Sequence, residues 1–320
     1  MHLLGGCLIA VATFACAPYA GAQQAWPAKP IRLVINFAPG GTNDIIARTF
    51  TPRLGEVLGQ PVVIEHRAGA AGNIGMEQVV RSAPDGYTLL HSGGSTVIIG
   101  PHLYKLPIDV EKDLQPVAAT ARTAIFLVAR QSLGIRTVNE LIAYARANPG
   151  KLNFGSSGNG SAPHIAAEML LAAAKIQATH VPYKGSGETI AALLSGQIDF
   201  LFDIGALVPQ IRADKVRLLA VASAARSALF PDAPTTAEAG TEVNADTLVG
   251  VYAPARTPRE IVDRLNREIV RALHTPEARA ALNQVAAEPV AATPEEFAAM
   301  QKRARDRFGE IIRVAKIKID

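Results

Sequence analysis

Cysteine is nearly absent from this sequence. Of its 320 residues only Cys7 and Cys16 are cysteines, and both lie within the first 25 residues. The rest of the chain therefore has neither a thiol nor a disulfide, which excludes cysteine catalysis and cysteine metal sites from it. We predict that the protein holds no metal and no cofactor.

Aromatic residues are also scarce, and there are no long runs of residues with the same charge. The 32 basic and 28 acidic residues are spread along the chain, and aromatic residues make up 5% of it. A net charge of +4 without a basic cluster argues against a nucleic-acid partner or a membrane-surface role. The length and the 49% hydrophobic content are enough for a core of about two domains.

The first 25 residues contain no Lys, Arg, Asp or Glu. Their apolar stretch, Leu8 to Ala17, is too short to span a bilayer, and the small residues Ala20 to Ala22 suit signal cleavage. We therefore predict a secretory signal peptide over residues 1–22 and an exported mature chain. An uncleaved membrane anchor is the alternative interpretation.

The motif LVINFAPGGTNDIIAR, Leu33 to Arg48, predicts a strand, a glycine-rich turn and a helix in direct succession. The free N–H groups and the positive end of that helix suit a carboxylate or a phosphate. Asp44, in the first turn, would compete with such an anion, so further donors are expected from elsewhere. Alternatively, the turn only reverses the chain.

Two further loops follow predicted strands and are rich in hydroxyl groups and glycine, His91 to Thr96 and Gly155 to His164. Their serines and threonines are either anion donors or simple helix caps. His164 is either a ligand contact or a buried histidine with internal partners. Asp203 ends another strand, where it either binds an amine or hydroxyl group of a ligand or caps a helix.

Strands and helices alternate along the chain, which predicts an α/β fold with parallel sheets and ligands at the carboxyl ends of the strands. The strand Thr123 to Arg130 is predicted to cross into a second lobe, and Val216 to Ala222 is the return strand. Lobe 1 would comprise residues 23–123 plus 224–320, and lobe 2 residues 124–223. Thr257, Thr275 and Thr293 are expected to cap three late helices that serve as scaffold.

Three donor-rich loops on two lobes predict a clamp for a small anion. A secreted serine hydrolase is the alternative, with Ser95 or Ser157 acting with His91 or His164. Neither serine completes a GxSxG motif, and no P-loop GxxxxGK[ST] occurs. A redox enzyme with a nucleotide at GAAGNIG, Gly69 to Gly75, ranks third because that motif lacks the GxG opening.

The chain from Trp26 to the C-terminal helix resembles the Bug, or tripartite tricarboxylate transporter, receptors, which are periplasmic solute-binding proteins. The resemblance is carried by WPAKPIRLVINFAPGGTNDIIAR, GAAGNIG, PDGYTLL, LNFGSSGNGSAPH, VPYKG and GQIDFLFD. It implies the type II periplasmic binding fold, in which two α/β lobes close on a ligand. Asn36 and His66 depart from the usual proline and asparagine at these positions.

The resemblance implies a receptor that captures a small di- or tricarboxylate, acidic amino acid or aromatic acid in the periplasm. It would act as a monomer, without chemistry on the ligand, and deliver it to membrane transporter or sensor subunits. The ligand carboxylate would be held mainly by backbone groups of the first loop. The implied ligand-binding residues are Phe37, Gly40, Gly41, Asn43, Asp44, Ser92, Ser95, Thr96, Ser156, Asn159, Gly160, Ser161, His164 and Asp203.

Overall fold

The computed structural model describes residues 26–315 and Ile317, so the predicted signal peptide lies outside the described residues. The strands are β1 (Ile31–Ile35), β2 (Val62–His66), β3 (Thr88–Ser92), β4 (Leu114–Thr123), β5 (Phe126–Arg130), β6 (Asn153–Ser156), β7 (Thr179–Pro182), β8 (Phe200–Asp203), β9 (Val216–Val221), β10 (Thr247–Pro254) and β11 (Ala287–Pro289). The α-helices are α1 (Thr42–Leu58), α2 (Asn73–Val80), α3 (Gly100–Leu103), α4 (Val110–Asp113), α5 (Val138–Ala147), α6 (Ala162–Ala174), α7 (Ser186–Leu194), α8 (Val208–Arg212), α9 (Arg259–Leu273), α10 (Pro276–Asn283) and α11 (Pro294–Ala315).

The strands form two sheets, which confirms the predicted α/β architecture. The six-stranded sheet has the order β11-β4-β10-β3-β1-β2, and the five-stranded sheet has the order β7-β6-β8-β5-β9. The expectation of parallel sheets was wrong in part. Strand β10 runs antiparallel to β3 and β4, and β5 runs antiparallel to β8 and β9. These strands enter a sheet directly from the other one, without the crossover helix that parallel neighbours require.

The chain passes between the sheets twice. Strand β4 ends at Thr123 in the six-stranded sheet and β5 begins at Phe126 in the other, so only two residues join them. The return runs from the end of β9 to the start of β10. Strands of the six-stranded sheet fall within residues 31–123 and 247–289, and those of the other within 126–221. The lobe limits drawn from the sequence stay a prediction.

Apolar residues of β1 and α1 explain why these two elements pack together. Four of the five residues of β1 are buried, and only Arg32 is exposed. In α1 the apolar positions Ile46, Phe50, Leu54 and Leu58 recur every fourth residue and are all buried. Because each fully buried side chain of this size contributes about 1.5–3 kcal/mol, this stripe fixes the helix on the sheet. The start of α1 is thereby held at the carboxyl end of β1.

Helices long and apolar enough to cross a bilayer were sought among the described residues, and none was found.

Gly250 offers a test of packing at the centre of the six-stranded sheet. A Cβ atom there would overlap the ring of Phe297 and lie 2.8 Å from the carbonyl oxygen of Ala118. We predict that Gly250→Ala lowers the free energy of unfolding by about 1–3 kcal/mol in urea denaturation, because the core has no room for the methyl group. The control is Gly187→Ala in α7, where a Cβ meets nothing closer than 4.0 Å. Equal stability of Gly250→Ala and wild type would contradict this account.

Candidate functional site

The segments that follow β1, β3, β6, β7 and β8 converge on a small space, here called the inner cavity, of about 20 Å³. Strands β1 and β3 belong to the six-stranded sheet, and β6 and β8 belong to the other, so both sheets contribute to its wall. Its lining residues are Phe37, Ala38, Gly41, Thr42, Asn43, Gly93, Ser95, Ser157, Ser186 and Ile204. None of these ten carries a charged side chain, so they offer backbone groups, hydroxyl groups and one amide.

The loop after β1 brings the start of α1 to this cavity. Gly40 has φ +80°, a conformation that suits glycine, and Gly41 is the helix N-cap without a side chain that caps. The first bond of the helix runs from the N–H of Ile45 to the carbonyl of Gly41, at 3.1 Å. The N–H groups that precede it at the start of a helix have no partner within the helix. The inner cavity therefore lies at a helix terminus suited to an anion.

Asp44 lies outside the cavity lining and stabilises this turn by hydrogen bonds. Its carboxylate accepts hydrogen bonds from the N–H of Gly40 and from the side chains of Arg48 and His66, each at 3.0 Å. Burial alone would raise the pKa of this carboxyl, but the three hydrogen bonds and the charge of Arg48 hold it below its usual range. These bonds let Asp44 fix the turn, and its contact with a ligand stays a prediction.

The loop after β3 is tied to its neighbours by the Asn36 side chain. The Asn36 amide lies 3.1 Å from the Gly72 carbonyl, 3.0 Å from Ser92 Oγ and 2.8 Å from Thr96 Oγ1, all of which accept. A Cβ on Gly72 would overlap this amide and the Thr96 hydroxyl, which explains glycine at that position. Ser92 and Thr96 are thus held within the loop. Ser95, by contrast, faces the inner cavity.

The loop after β6 is ordered by histidines. Ser156 Oγ lies 2.6 Å from His180 Nε2, and His164 Nδ1 accepts a hydrogen bond from the N–H of Gly160 at 2.9 Å. The two imidazole rings stack with centroids 3.9 Å apart. Burial, together with the charge that His164 would carry, lowers the pKa of His180 to about 3. Ser161 caps α6 through its contact with the N–H of His164, at 3.4 Å.

Asp203 is absent from the lining of the inner cavity and serves the turn after β8. Its Oδ1 accepts hydrogen bonds from the N–H groups of Gly205 and Leu207, each at 2.9 Å. Burial raises the pKa of the Asp203 carboxyl. These two hydrogen bonds and a third from the Ser186 side chain act in the opposite direction but do not outweigh it. This placement fits the capping role weighed for Asp203, and its contact with an amine or a hydroxyl group of a ligand stays a prediction.

A second space, here called the outer cavity, adjoins the first and has a volume of about 290 Å³. Phe37 and Ser157 line both cavities. Among the described residues of its lining, Lys184 carries the only charged side chain. The other lining residues are Gly69, Ala70, Ala71, Gly72, Tyr104, Gly158, Asn159, Pro182 and Tyr183. A larger surface groove of about 670 Å³ runs beside β9 and contains none of the residues predicted to bind a ligand.

The predicted ligand-binding residues separate into two groups. Those that line a cavity are Phe37, Gly41, Asn43, Ser95 and Asn159. Those that lie outside the two linings are Gly40, Asp44, Ser92, Thr96, Ser156, Gly160, Ser161, His164 and Asp203. Contact of either group with a ligand stays a prediction.

Sequence reasoning misses several lining residues. It includes Thr42 and Ser157 only within the loops Phe37 to Asp44 and Ser156 to Ser161, which the resemblance assigns to the ligand, and it finds no recognisable signal at Ser186 or Ile204. Ser186 follows directly on the VPYKG segment, and Ile204 follows Asp203. Both positions come after strands, so attention to every residue beyond a strand's carboxyl end would have found them.

The hydroxyl and imidazole groups do not support the serine hydrolase alternative. Ser95 Oγ accepts a hydrogen bond from the N–H of Ala162 at 2.9 Å, and His91 Nε2 lies 3.1 Å from Thr120 Oγ1. Neither contact joins a predicted serine to a predicted histidine. No group of three or more His, Cys, Asp or Glu side chains in the described part of the chain is placed to hold a metal ion.

Two sheets with helices, and a cavity with an uncharged lining between the loops of both, define a two-lobed solute-binding protein. Residues 46–317 match the tripartite tricarboxylate transporter family receptor, and the chain belongs to this family. The resemblance seen in the sequence is thereby confirmed.

Relatives of known name or structure agree with this assignment. Protein BugT of Bordetella pertussis is 35% identical over 298 residues, which cover 92% of this chain and 91% of BugT. An R. palustris protein solved with adipate is 32% identical, with a TM-score of 0.88 and coverage of 92% and 99%. MatC of Rhodopseudomonas palustris, solved with bound malate, is 31% identical, with a TM-score of 0.86 and coverage of 90% and 100%.

The hydrogen bonds to Asp44 predict how stability depends on pH. Because the folded pKa of this carboxyl is depressed, its contribution is complete above the unfolded pKa of about 3.9 and is lost as pH falls through the folded value. We predict that Asp44→Asn lowers the free energy of unfolding by about 1–3 kcal/mol at pH 7 and by less at pH 2–3.

The measurement is urea denaturation between pH 7 and pH 2. Asp306→Asn is the control, since Asp306 forms only an exposed pair with Lys302 at 2.9 Å and should change stability by less than about 1 kcal/mol. If Asp44→Asn destabilised the protein equally at pH 7 and pH 2, the depressed pKa would not be the cause.

Proposed function

We propose that this protein is a periplasmic receptor that captures a small carboxylate between its two lobes and performs no chemistry on it. The observation that carries the proposal is the inner cavity, in which the first turn of α1 meets hydroxyl groups from both sheets and the described lining residues are all uncharged. Such a wall suits an anion, because backbone donors and the helix dipole compensate negative charge without an ion pair.

Contacts between the lobes support capture by closure. Thr42 Oγ1 donates to the carbonyl of Ile204 at 3.1 Å, and the N–H of Ala162 donates to Ser95 Oγ at 2.9 Å. The Tyr104 hydroxyl also donates to the Asn159 carbonyl. The inner cavity, at about 20 Å³, has room for little more than one water molecule. A carboxylate therefore enters only when the lobes part, and these contacts oppose that motion.

The outer cavity supports a ligand with a second anionic group. It shares the lining residues Phe37 and Ser157 with the inner cavity, and we infer that a ligand held by one carboxylate extends into it. Lys184 lies at its wall and provides a positive side chain there. The adipate and malate of the structural relatives are both dicarboxylates. We infer that a dicarboxylate is the preferred class of ligand.

The name of the family associates such receptors with a tripartite transporter. We propose that the protein reaches the periplasm through the signal peptide of residues 1–22 and acts there as a monomer. Residues 23–123 plus 224–320 would form one lobe, and residues 124–223 the other. The loaded protein would deliver its ligand to membrane transporter or sensor subunits.

Ser157 provides the first test of the site, because it lines both cavities and is buried. We predict that Ser157→Leu weakens binding of malate, adipate or whichever dicarboxylate the wild type binds by about 100-fold or more, since a leucine side chain fills the space. Isothermal titration calorimetry measures the affinity, and thermal denaturation checks that the variant is folded. Ser195→Leu, at the exposed end of α7, is the matched control and should bind as wild type does.

Unchanged affinity in folded Ser157→Leu would place the ligand elsewhere.

A fluorophosphonate probe tests the absence of chemistry, because it labels activated serines covalently. Labelling of the wild-type protein at Ser95 or Ser157 would contradict the receptor proposal and restore the hydrolase alternative.

Lys184 tests the preference for a second carboxylate. We predict that Lys184→Gln weakens dicarboxylate binding by about two- to fivefold and leaves the monocarboxylate of equal chain length unchanged, because an exposed ion pair contributes about 0.2–1 kcal/mol. The difference should shrink at high salt, which screens such pairs. Calorimetry with both ligands gives the ratio, and Lys151→Gln, at an exposed position before β6, is the control. An equal loss of affinity for the two ligands would show that Lys184 does not interact with the second carboxylate.

A further inference from the structure

A basic pocket of about 230 Å³ lies beside the segments that pass between the two sheets. Arg122 near the end of β4 and Asp246 just before β10 form one wall, and Arg303 and Arg307 of α11 form the other. This hinge arginine pocket shares no lining residue with the inner or the outer cavity. It is therefore a separate feature, and a ligand bound there is independent of the proposed function.

The carboxylate in the pocket does not balance the three arginines. Asp246 Oδ2 lies 3.4 Å from Arg122 Nη1, and Oδ1 lies 3.4 Å from Arg307 Nη1, so both ion pairs are long. The Asp246 carbonyl accepts a closer bond from Arg307 Nη2, at 3.0 Å. Glu288 stands opposite Arg122 in the pairing of β4 with β11, yet no ion pair joins these two described residues. Since each guanidinium has five N–H donors, most of the donors remain for a bound group.

Arg303 is unusual among the basic residues of α11 that the structure describes. Lys302 pairs with Asp306, Arg305 with Glu111, Arg313 with Glu310 and Arg307 with Asp246. Arg303 alone among them makes no hydrogen bond or ion pair with any described residue. It also lies one helical turn before Arg307, a spacing at which two like charges destabilise a helix. An anion between these two arginines would remove that repulsion.

We propose that the hinge arginine pocket binds a small multivalent oxyanion, such as phosphate, sulfate or a free di- or tricarboxylate, on the guanidinium groups of Arg122, Arg303 and Arg307. The planar guanidinium presents two parallel N–H groups to two oxygen atoms, which is the geometry that oxyanions accept best. The volume holds one such anion with its water. A bound anion would link α11 to both hinge segments.

Inorganic phosphate is the probe for this site, with calorimetry and thermal denaturation at fixed ionic strength as the measurements. We expect wild-type protein to bind phosphate and to gain thermal stability over sodium chloride of equal ionic strength. Arg303→Gln should weaken phosphate binding by about tenfold or more, which corresponds to the loss of one charge-assisted contact. Because Arg303 is exposed, the variant should keep the fold. Arg313→Gln, in the same helix, is the matched control and should bind as wild type does.

Two further variants separate this site from the ligand cleft. Ser157→Leu should keep the phosphate response, and Asp246→Asn should strengthen it because the competing carboxylate is gone. The proposal is overturned if wild type responds equally to phosphate and chloride, or if Arg303→Gln and Arg313→Gln weaken binding alike. It is also overturned if Ser157→Leu abolishes the response, since phosphate would then occupy the cleft. The responses of wild type, Arg303→Gln and Arg313→Gln leave the proposed function untested, since dicarboxylate binding in the cleft is measured separately.

Discussion

The buried amide of Asn36 is the interaction on which the geometry of the first lobe's loops depends. It reaches the carbonyl of Gly72 and the hydroxyl groups of Ser92 and Thr96, so the loops that follow β1, β2 and β3 share one donor group. A buried polar group that lost these partners would cost about 1–3 kcal/mol, which keeps the three loops in one arrangement. The end of β1 and Gly72 in the wall of the outer cavity are consequently fixed relative to each other.

Much of the fold was predictable because its signals are local. The apolar stripe of α1 appears at regular spacing, and Thr275 and Thr293 do accept hydrogen bonds as helix caps. The cap predicted at Thr257 was wrong, because its hydroxyl donates to the Pro254 carbonyl and Pro258 occupies the N-cap of α9. Strand β10 and the antiparallel pairings were not predictable, since they arise from the way the chain re-enters a sheet after crossing from the other one. A pairing between residues far apart in the sequence leaves no periodicity in either segment.

The candidate site was predictable to the level of its loops and no further. Glycine-rich and hydroxyl-rich segments after β1, β3 and β6 do meet at one place. Within each loop, however, the direction of a side chain depends on single hydrogen bonds. Ser95 faces the cavity whereas Thr96 turns back to the Ala71 carbonyl, and Ser157 lines both cavities whereas Ser156 turns to His180. Neighbouring residues of the same chemistry thus differ in role for reasons that only the folded chain reveals.

Asp44 shows how a site for anions tolerates a carboxylate beside it. At the first turn of a helix its charge would repel a ligand anion, but Arg48 and His66 both contact it, and it lies outside the cavity lining. Its Oδ2 also accepts a hydrogen bond from the N–H of Gly40. This bond fixes the conformation of the turn that precedes the first N–H groups of α1. The negative charge therefore shapes the loop, and the lining of the inner cavity offers only uncharged groups. Recognition by neutral groups selects the shape of a carboxylate as well as its charge, since each donor must meet an oxygen atom.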